Sequence, residues 1–498
     1  MTRGTEKSVG TRETGKAQKR EVTRKSAVTR GSAVTRGSAG NQNGAQRVSA
    51  PIEKARLRYV GLLSALSPED RASLVRRTNT SDSLVREQTE EIIGRVRSDG
   101  DRALREMAIN FDGVALDALE VPKGVRQRAL AEIDPVLRSA LEHAAWNITL
   151  FHSAAPPRTV ELATEPGVIV GRRPDPLRRV GIYSPGGRAA YASSVLMAGI
   201  PAKVARVSEI VLCSPPQKDG CPAKVVLAAS EIAGVDRVFA LGGAGAIAAM
   251  AYGTESVPRV DRIVGPGNAY VAEAKVQVSR DVGIDSPAGP SELLVICDGG
   301  ADVEAIAREV IAQAEHDVNA CVVVVALDDE TASAISDAIA RKLPAVARGA
   351  AGRRGVARAE GDRADIISAA LERRGGVLSA GSIAEAIEFA AEFAPEHLLL
   401  AVKDAENVLP DIRNAGCVFV GEQSSVVFGD YITGGNHVLP TGGLARSYSG
   451  LGPLDFVRWT SYQKVTRAAA RRLSADTAVL ANAEGLPAHA AAALGWSD

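Results

Sequence analysis

The chain has 498 residues, 45% hydrophobic and 24% charged, with 59 basic side chains against 59 acidic ones; at roughly 100–200 residues per domain this suggests two or three globular domains. The neutrality is a sum of opposites, since residues 1–50 hold 11 Lys/Arg against 3 Asp/Glu (net +8) and residues 51–498 hold 48 against 56 (net −8). An acidic body excludes nucleic acid as the main partner, the lack of any run of about 18 uncharged apolar residues excludes a membrane helix, and residues 1–30 lack the apolar core of a secretory signal.

Residues 1–50 carry Val as their only large aliphatic apart from Met1, and the string Ser-Ala-Val-Thr-Arg-Gly begins at Ser26 and again at Ser32. Such a segment cannot offset its chain entropy by burial, so a disordered basic tail is expected. Residues 51–80 read as an arm. From 81 to about 155 the pattern is helical, with Leu84, Ile92, Ile93 and Val96, then Leu130, Ile133, Leu137 and Leu141, near 3.6 spacing. After that the texture changes. β-rich runs at 180–183, 209–214, 237–241, 262–264, 293–297 and 321–327 alternate with Ala-rich helical stretches at 193–206, 223–233, 245–252, 269–280, 303–315 and 331–342. This alternation predicts βαβ units and parallel sheets. An Arg-rich interval, 348–374, is expected to loop or form an irregular insertion. The alternation resumes at 376–380, 383–393, 398–402 and 417–420, and past Leu444 the chain reads as helical to its end, able to pack on its own body or on a partner's. The fold class is α/β, with two Rossmann-like parallel-sheet domains and helical N-terminal and C-terminal segments.

The five cysteines (Cys213, Cys221, Cys297, Cys321, Cys417) are odd in number and never spaced C-x-x-C, which predicts reduced, mostly buried thiols in a cytoplasmic protein. Of six histidines, His143 and His152 lie in the helical N-terminal part and read as packing or surface residues. The other four stand in polar settings. Gln313 and His316, at i and i+3, share one helix face within reach of one ion. Two ligands do not make a site, but with Asp430 and His489 they could form a four-coordinate N/O centre that needs no thiolate. Glu396 and His397 follow Pro395 and precede an apolar strand near the edge of a sheet. They are either a surface pair or a general acid and base. Glycine-rich turns recur at 184–188, 241–246, 264–269 and 287–292, several between a strand and a helix, where backbone N–H groups can meet phosphate. Gly243-x-Gly245-x-x-Ala248 fits a Rossmann fingerprint in form, but Asp261 precedes its strand instead of ending it, so the acidic partner is missing.

Together, Tyr183-Ser-Pro-Gly-Gly, Ser193-Ser-Val-Leu-Met, Gly253-Thr-Glu-Ser-Val-Pro, Gly265-Pro-Gly-Asn, Pro287-Ala-Gly-Pro-Ser-Glu, Gln313-Ala-Glu-His and Asn436-His-Val-Leu-Pro-Thr closely resemble the histidinol dehydrogenases, over about Ala55 to Leu494. The resemblance implies a cytoplasmic NAD- and zinc-dependent enzyme that oxidises L-histidinol through L-histidinal to L-histidine. It implies zinc ligands Gln313, His316, Asp430 and His489, the last given across a homodimer with a shared active site. Glu396 and His397 become the acid/base pair. Ser291, His437 and Glu484 join the ligands and His397 at the substrate, and Tyr183, Asn268 and position 245 contact NAD. Zinc would chiefly hold and orient substrate. The expected domains are 81–178 with 292–444, then 179–291, with 445–498 packing on the partner subunit.

One position departs from the pattern: the family usually carries Gln where this chain has Gly245, which removes an amide contact to NAD. The alternative reading is a paralogous zinc/NAD dehydrogenase for another small alcohol, such as a sulfonated diol. A binding protein without catalysis has no need of an intact Glu396–His397 pair. Deleting residues 1–50 is expected to leave activity intact.

Overall fold

A computed structural model describes residues 56–77, 83–186, 190–287, 289–351 and 363–497. The basic tail lies outside them. The arm supplies strand β1 (Tyr59–Leu62), and β2 (Val160–Glu165) with β3 (Val168–Pro176) forms an antiparallel hairpin. Next come β4 (Arg179–Tyr183), β5 (Glu209–Ser214), β6 (Arg237–Ala240), β7 (Arg262–Val264) and β8 (Gly283–Ile284). A second series follows: β9 (Glu292–Cys297), β10 (Cys321–Ala326), β11 (Gly375–Ser379), β12 (His397–Ala401) and β13 (Cys417–Val420). β14 (Val457–Val465) closes the list.

The first series is a parallel sheet in the order β6-β5-β4-β7-β8, and the second is a parallel sheet in the order β1-β11-β10-β9-β12-β13. Counted from β4 and from β9, each runs 3-2-1-4-5, the order of a doubly wound nucleotide-binding fold, and β1 extends the second at its edge. The interior strands are apolar on both faces, as helix-covered parallel strands must be: every residue of Cys321–Ala326 is buried. The α/β expectation therefore holds.

Three regions differ from the sequence reading in detail. The helices Ser83–Met107, Lys123–Glu132 and Pro135–Ala154 share one hydrophobic cluster with the five-stranded sheet, where Ile93, Val96, Leu141 and Ile148 pack with Val180, Ile210 and Ile247. The sequence reading groups them with 292–444; periodicity reveals an apolar stripe but not which sheet it meets. The interval 348–374 is largely helical where described, since Asp329–Ala351 runs into it and Arg363–Arg374 buries Ile366, Ile367, Ala370 and Leu371. The C-terminal segment begins with β14, rich in strand-forming Val, Trp, Thr and Tyr, paired antiparallel to β3, before the helices Arg467–Ala483 and Pro487–Leu494. Among the described residues no helix is long and apolar enough to cross a membrane.

Candidate active site

A cavity of about 1450 Å³ is lined by residues from both parallel sheets. On one side stand the carboxyl ends of β4 and β7, the neighbouring strands where the strand order reverses, the customary ligand position of such a sheet. The first turns of the helices Ala192–Val204, Gly243–Tyr252 and Ala269–Val278 line it there, through Ser194, Gly243 and Ala269. On the other side stand the amino ends of β9 and β12, with the last turn of the helix Val303–Ala314.

Glu396 and His397 are 6% and 3% exposed, which removes the surface-pair reading. They also do not lie at a sheet edge: β12 runs between β9 and β13, and the pair occupies its amino end. His397 Nδ1 lies 2.9 Å from the Glu292 carbonyl oxygen. A carbonyl only accepts, so Nδ1 carries the proton, and in the neutral ring Nε2 presents its lone pair to the cavity. That Nε2 is buried without a hydrogen-bond partner, 3.5 Å from Asp430 Oδ1. The Glu396 carboxylate sits 3.4 Å from Nδ1 and accepts the Glu292 N–H at 2.8 Å. Burial raises the Glu396 pKa, with His397 offsetting only part of the effect. Burial favours neutral His397, but the Glu396 and Asp430 carboxylates outweigh it and hold the ring well above the ordinary imidazole value. Burial would likewise raise Asp430, but its pairing with His397 and the nearby His437 and His316 hold it low.

Gln313, His316 and Asp430 line the same cavity: Gln313 from the last turn of the helix Val303–Ala314, His316 from just past its end and so not from the helix face the spacing predicts, and Asp430 from the helix Val426–Tyr431. Gln313 is 3% exposed and its amide nitrogen has no partner. Exchanging the amide O and N, which have the same shape, turns that unpaired donor into an oxygen ligand. An amide oxygen, an imidazole and a carboxylate suit a zinc-like N/O centre. Among the described residues no three His, Cys, Asp or Glu come close enough to hold an ion, because one of the three donors here is an amide and the fourth expected ligand is elsewhere. His489 and Glu484 are exposed on the terminal helical segment and do not line the cavity. His437 does: its Nδ1 is 2.8 Å from the Asp430 carbonyl and its Nε2 3.2 Å from Ser194 Oγ, so it bridges the two sides. Burial holds its pKa low despite Asp430. Ser291, just before β9, also faces the cavity.

At the carboxyl end of β4, the Tyr183 hydroxyl accepts the Gly243 N–H at 3.0 Å. Burial pushes its pKa up to about 12, so the hydroxyl keeps its proton and can donate it to a ligand. Asn268 caps the helix Ala269–Val278 by accepting the Val271 N–H at 3.1 Å, leaving its NH₂ to donate. The Gly265 loop between them is tightly drawn: at φ +117 an added Cβ would collide with the Tyr183 carbonyl oxygen. Two donors beside three helix N-termini fit a dinucleotide. Gly245 is buried in the same helix as Gly243 and faces Met107 and Leu104, which line the cavity with it.

Sequence reasoning missed four residues here. Ser194 and Glu292 both lie inside quoted strings, and an acid heading an all-apolar strand is itself a signal, since a buried carboxylate demands a cation. The cation, Arg77, lies 215 positions away and carries no local pattern. Lys275 is buried, pairs with Asp285 and donates to the Gly265 and Ser286 carbonyls, tying the Gly265 loop to the one that leads into Ser291.

Comparison with known proteins adds three findings. The family model described as histidinol dehydrogenase matches residues 75–494. The chain is 48% identical over 432 residues to the histidinol dehydrogenase of Natronomonas pharaonis, spanning 86% of this chain and 98% of that protein, and 43% identical over 432 residues to that of Methanosarcina mazei, spanning 86% and 96%. It is similar to the crystal structure of histidinol dehydrogenase from Elizabethkingia anophelis, with a TM-score of 0.80 and 32% identity, covering 88% of this chain and 98% of that one.

Proposed function

The chain belongs to the histidinol dehydrogenase family, and from that premise we propose how its own residues divide the work. The activity is that of an NAD-dependent oxidoreductase of histidine biosynthesis acting on histidinol. We assign the oxidation to two steps at one site, alcohol to aldehyde and aldehyde to acid, with two NAD consumed.

Gln313, His316 and Asp430, completed by His489 of the second subunit, would hold zinc, which supplies an anchor for the amine and imidazole of the substrate. Tyr183 and Asn268 would seat NAD, which accepts the hydride in each step. His397 Nε2 takes the proton of the substrate hydroxyl. Its opposite nitrogen is already committed to the Glu292 carbonyl, so only Nε2 is available. With Asp430 engaged as a ligand, one of the two carboxylates that favour protonated His397, the second after Glu396, would be withdrawn, and burial would favour the neutral, accepting ring more strongly. Glu396, raised by burial, then takes a proton from the water that attacks the aldehyde. His437 and Ser291 fix the polar groups of the substrate, with Glu484 reaching it across the dimer.

Two observations support the homodimer. Glu484 and His489 are exposed and away from the cavity. The helix Pro135–Ala154 and the terminal segment also expose large apolar side chains, among them Trp146 (68%), Leu150 (62%), Leu480 (68%) and Trp496 (60%), more than a monomer normally leaves in water. A cytoplasmic setting accords with five free cysteines, three of them buried.

The observation that carries the reading is the burial of the Glu396–His397 pair at one cavity with Gln313, His316 and Asp430. The test is a steady-state assay with L-histidinol: two NADH per substrate, lost on zinc chelation and restored by zinc. Turnover of a sulfonated diol or another alcohol with none of histidinol would refute it.

A further inference from the structure

We infer that the buried Arg77–Glu292 ion pair is a positioning device for the acid/base pair, acting through the backbone of residue 292. This rests on the assignment of Glu396 and His397 above. Both members of the pair hang on that one residue: its N–H donates to Glu396 Oε2 at 2.8 Å, and its carbonyl receives His397 Nδ1 at 2.9 Å. The Glu292 side chain is fixed in turn. Arg77 Nε and Nη2 donate to its two oxygens, both at 2.8 Å, and the Gly442 N–H donates to Oε1 at 2.8 Å. Glu396 is held from a second direction as well, since its own N–H donates to Glu292 Oε2 at 3.3 Å.

Arg77 also grips the approach to the pair. Its Nη2 donates to the Phe393 carbonyl at 2.9 Å, and the guanidinium stands 3.5 Å from the centre of the Phe393 ring. Phe393 is the last residue of the helix Ile383–Phe393, three positions before Glu396. One guanidinium therefore fixes both the strand that carries the hydrogen-bonding backbone and the chain that delivers the acid and base. The side chains of Arg77 and Glu292 are 1% and 3% exposed. Desolvating two charges costs about as much as their attraction returns, so stability alone is a poor reason for the pair, whereas a planar, two-pronged contact sets angles that an apolar pair cannot. With both oxygens of Glu292 engaged, neither residue is left to handle a reacting proton. Their role is geometric.

The test uses the full-length enzyme with zinc content verified. Arg77→Ala, Arg77→Lys and Glu292→Gln should lower kcat by roughly 10- to 100-fold, the scale expected when a reacting group is misplaced by about 1 Å. The Kd for NAD and zinc occupancy should stay within about twofold of wild type on the same reasoning, because the ligands and the nucleotide contacts lie elsewhere. Guanidinium ion added to Arg77→Ala should restore part of kcat saturably, and Arg77→Ala/Glu292→Gln should be no slower than the worse single variant. If Arg77→Ala does not fold, Arg77→Lys, which keeps the charge but loses the two-pronged contact, is read by the same kcat criterion. A folded variant with unchanged kcat, or one whose entire loss lies in KM for histidinol, overturns the inference. His397→Asn separates the two levels: full turnover there refutes the acid/base assignment itself, whereas loss there with unchanged kcat in the Arg77 and Glu292 variants refutes only the positioning role.

Discussion

Gly245→Gln supplies the side chain that the family resemblance leads one to expect at this position, and the structure sets its price in packing. Gly245 is the third residue of the helix Gly243–Tyr252 and is buried against the helix Ser83–Met107. An added Cβ meets Met107 Sδ at 3.0 Å and Leu104 Cδ2 at 3.5 Å. The second distance is ordinary contact, and the first asks a flexible thioether to move by a few tenths of an ångström. Replacing Gly by Ala in a helix gains up to about 1 kcal/mol, enough to offset that shift. Gly245→Ala should therefore fold and leave NAD affinity alone, which makes it the control. In Gly245→Gln the new amide adds one hydrogen bond worth about 0.5–1.5 kcal/mol, a decrease in Kd for NAD of roughly 2- to 12-fold. Calorimetric titration of the three proteins with NAD, and KM for NAD in the assay, measure this. Equal affinity in all three would show that another group already fills the role. Weaker binding in Gly245→Gln, with Gly245→Ala unchanged, would show that the cavity has closed around a different cofactor pose.

His397→Asn should abolish turnover while keeping zinc by metal analysis, since the ring is not a proposed ligand; loss of metal would reassign it. Mixing His489→Ala with His397→Asn subunits under exchange conditions should restore activity, because one of the two sites in a mixed dimer then has every residue; no recovery despite proven exchange would place His489 in its own subunit's site. His152 is 6% exposed, its Nε2 has no partner, and burial lowers its pKa to about 4 from 6.5. Between those values the unfolded chain binds a proton that the folded one refuses, so stability falls as pH drops from 6.5 toward 4, by about 2–3 kcal/mol near pH 4.5. Denaturant unfolding of His152→Leu should show a correspondingly flatter pH dependence, and an unchanged slope would rule out His152 as the source.

Much of the architecture was legible because parallel strands buried on both faces leave uninterrupted apolar runs, such as Cys321–Ala326. Gln313 and His316 were legible as neighbours because they stand three positions apart at a helix end, although the helix stops at Ala314 and His316 lies just past it, so they do not share a helix face in the strict sense. Less visible was whatever depends on distant pairing. The stripe on the helix Ser83–Met107 announces a buried face, yet not its burial against residues 192–252. Strand β14 was hidden by the Ala-rich helices after it, although its own Val, Trp and Tyr favour a strand. Arg77 stays invisible because its meaning comes from Glu292, and the exposure of His489 could be reported only by three-dimensional placement. Gly245 stood out only through the family resemblance, and only the packing shows what a side chain there would meet.

The two sheets share one strand order, yet the cavity meets the carboxyl end of one and the amino end of the other, and this gives it an electrical polarity. Helices alternate with strands, so N-termini converge at the first wall, at Ser194, Gly243 and Ala269, while the C-termini of the helices Val303–Ala314 and Ile383–Phe393 converge near the second, just before His316 and Glu396. Each terminus carries roughly half a unit charge, positive at the first wall and negative at the second. An anionic diphosphate and a cationic amine or metal are thus drawn to opposite walls before any side chain is counted. Because the backbone sets this gradient, it survives point substitution, and it gives the two reactants only one sensible way to face each other.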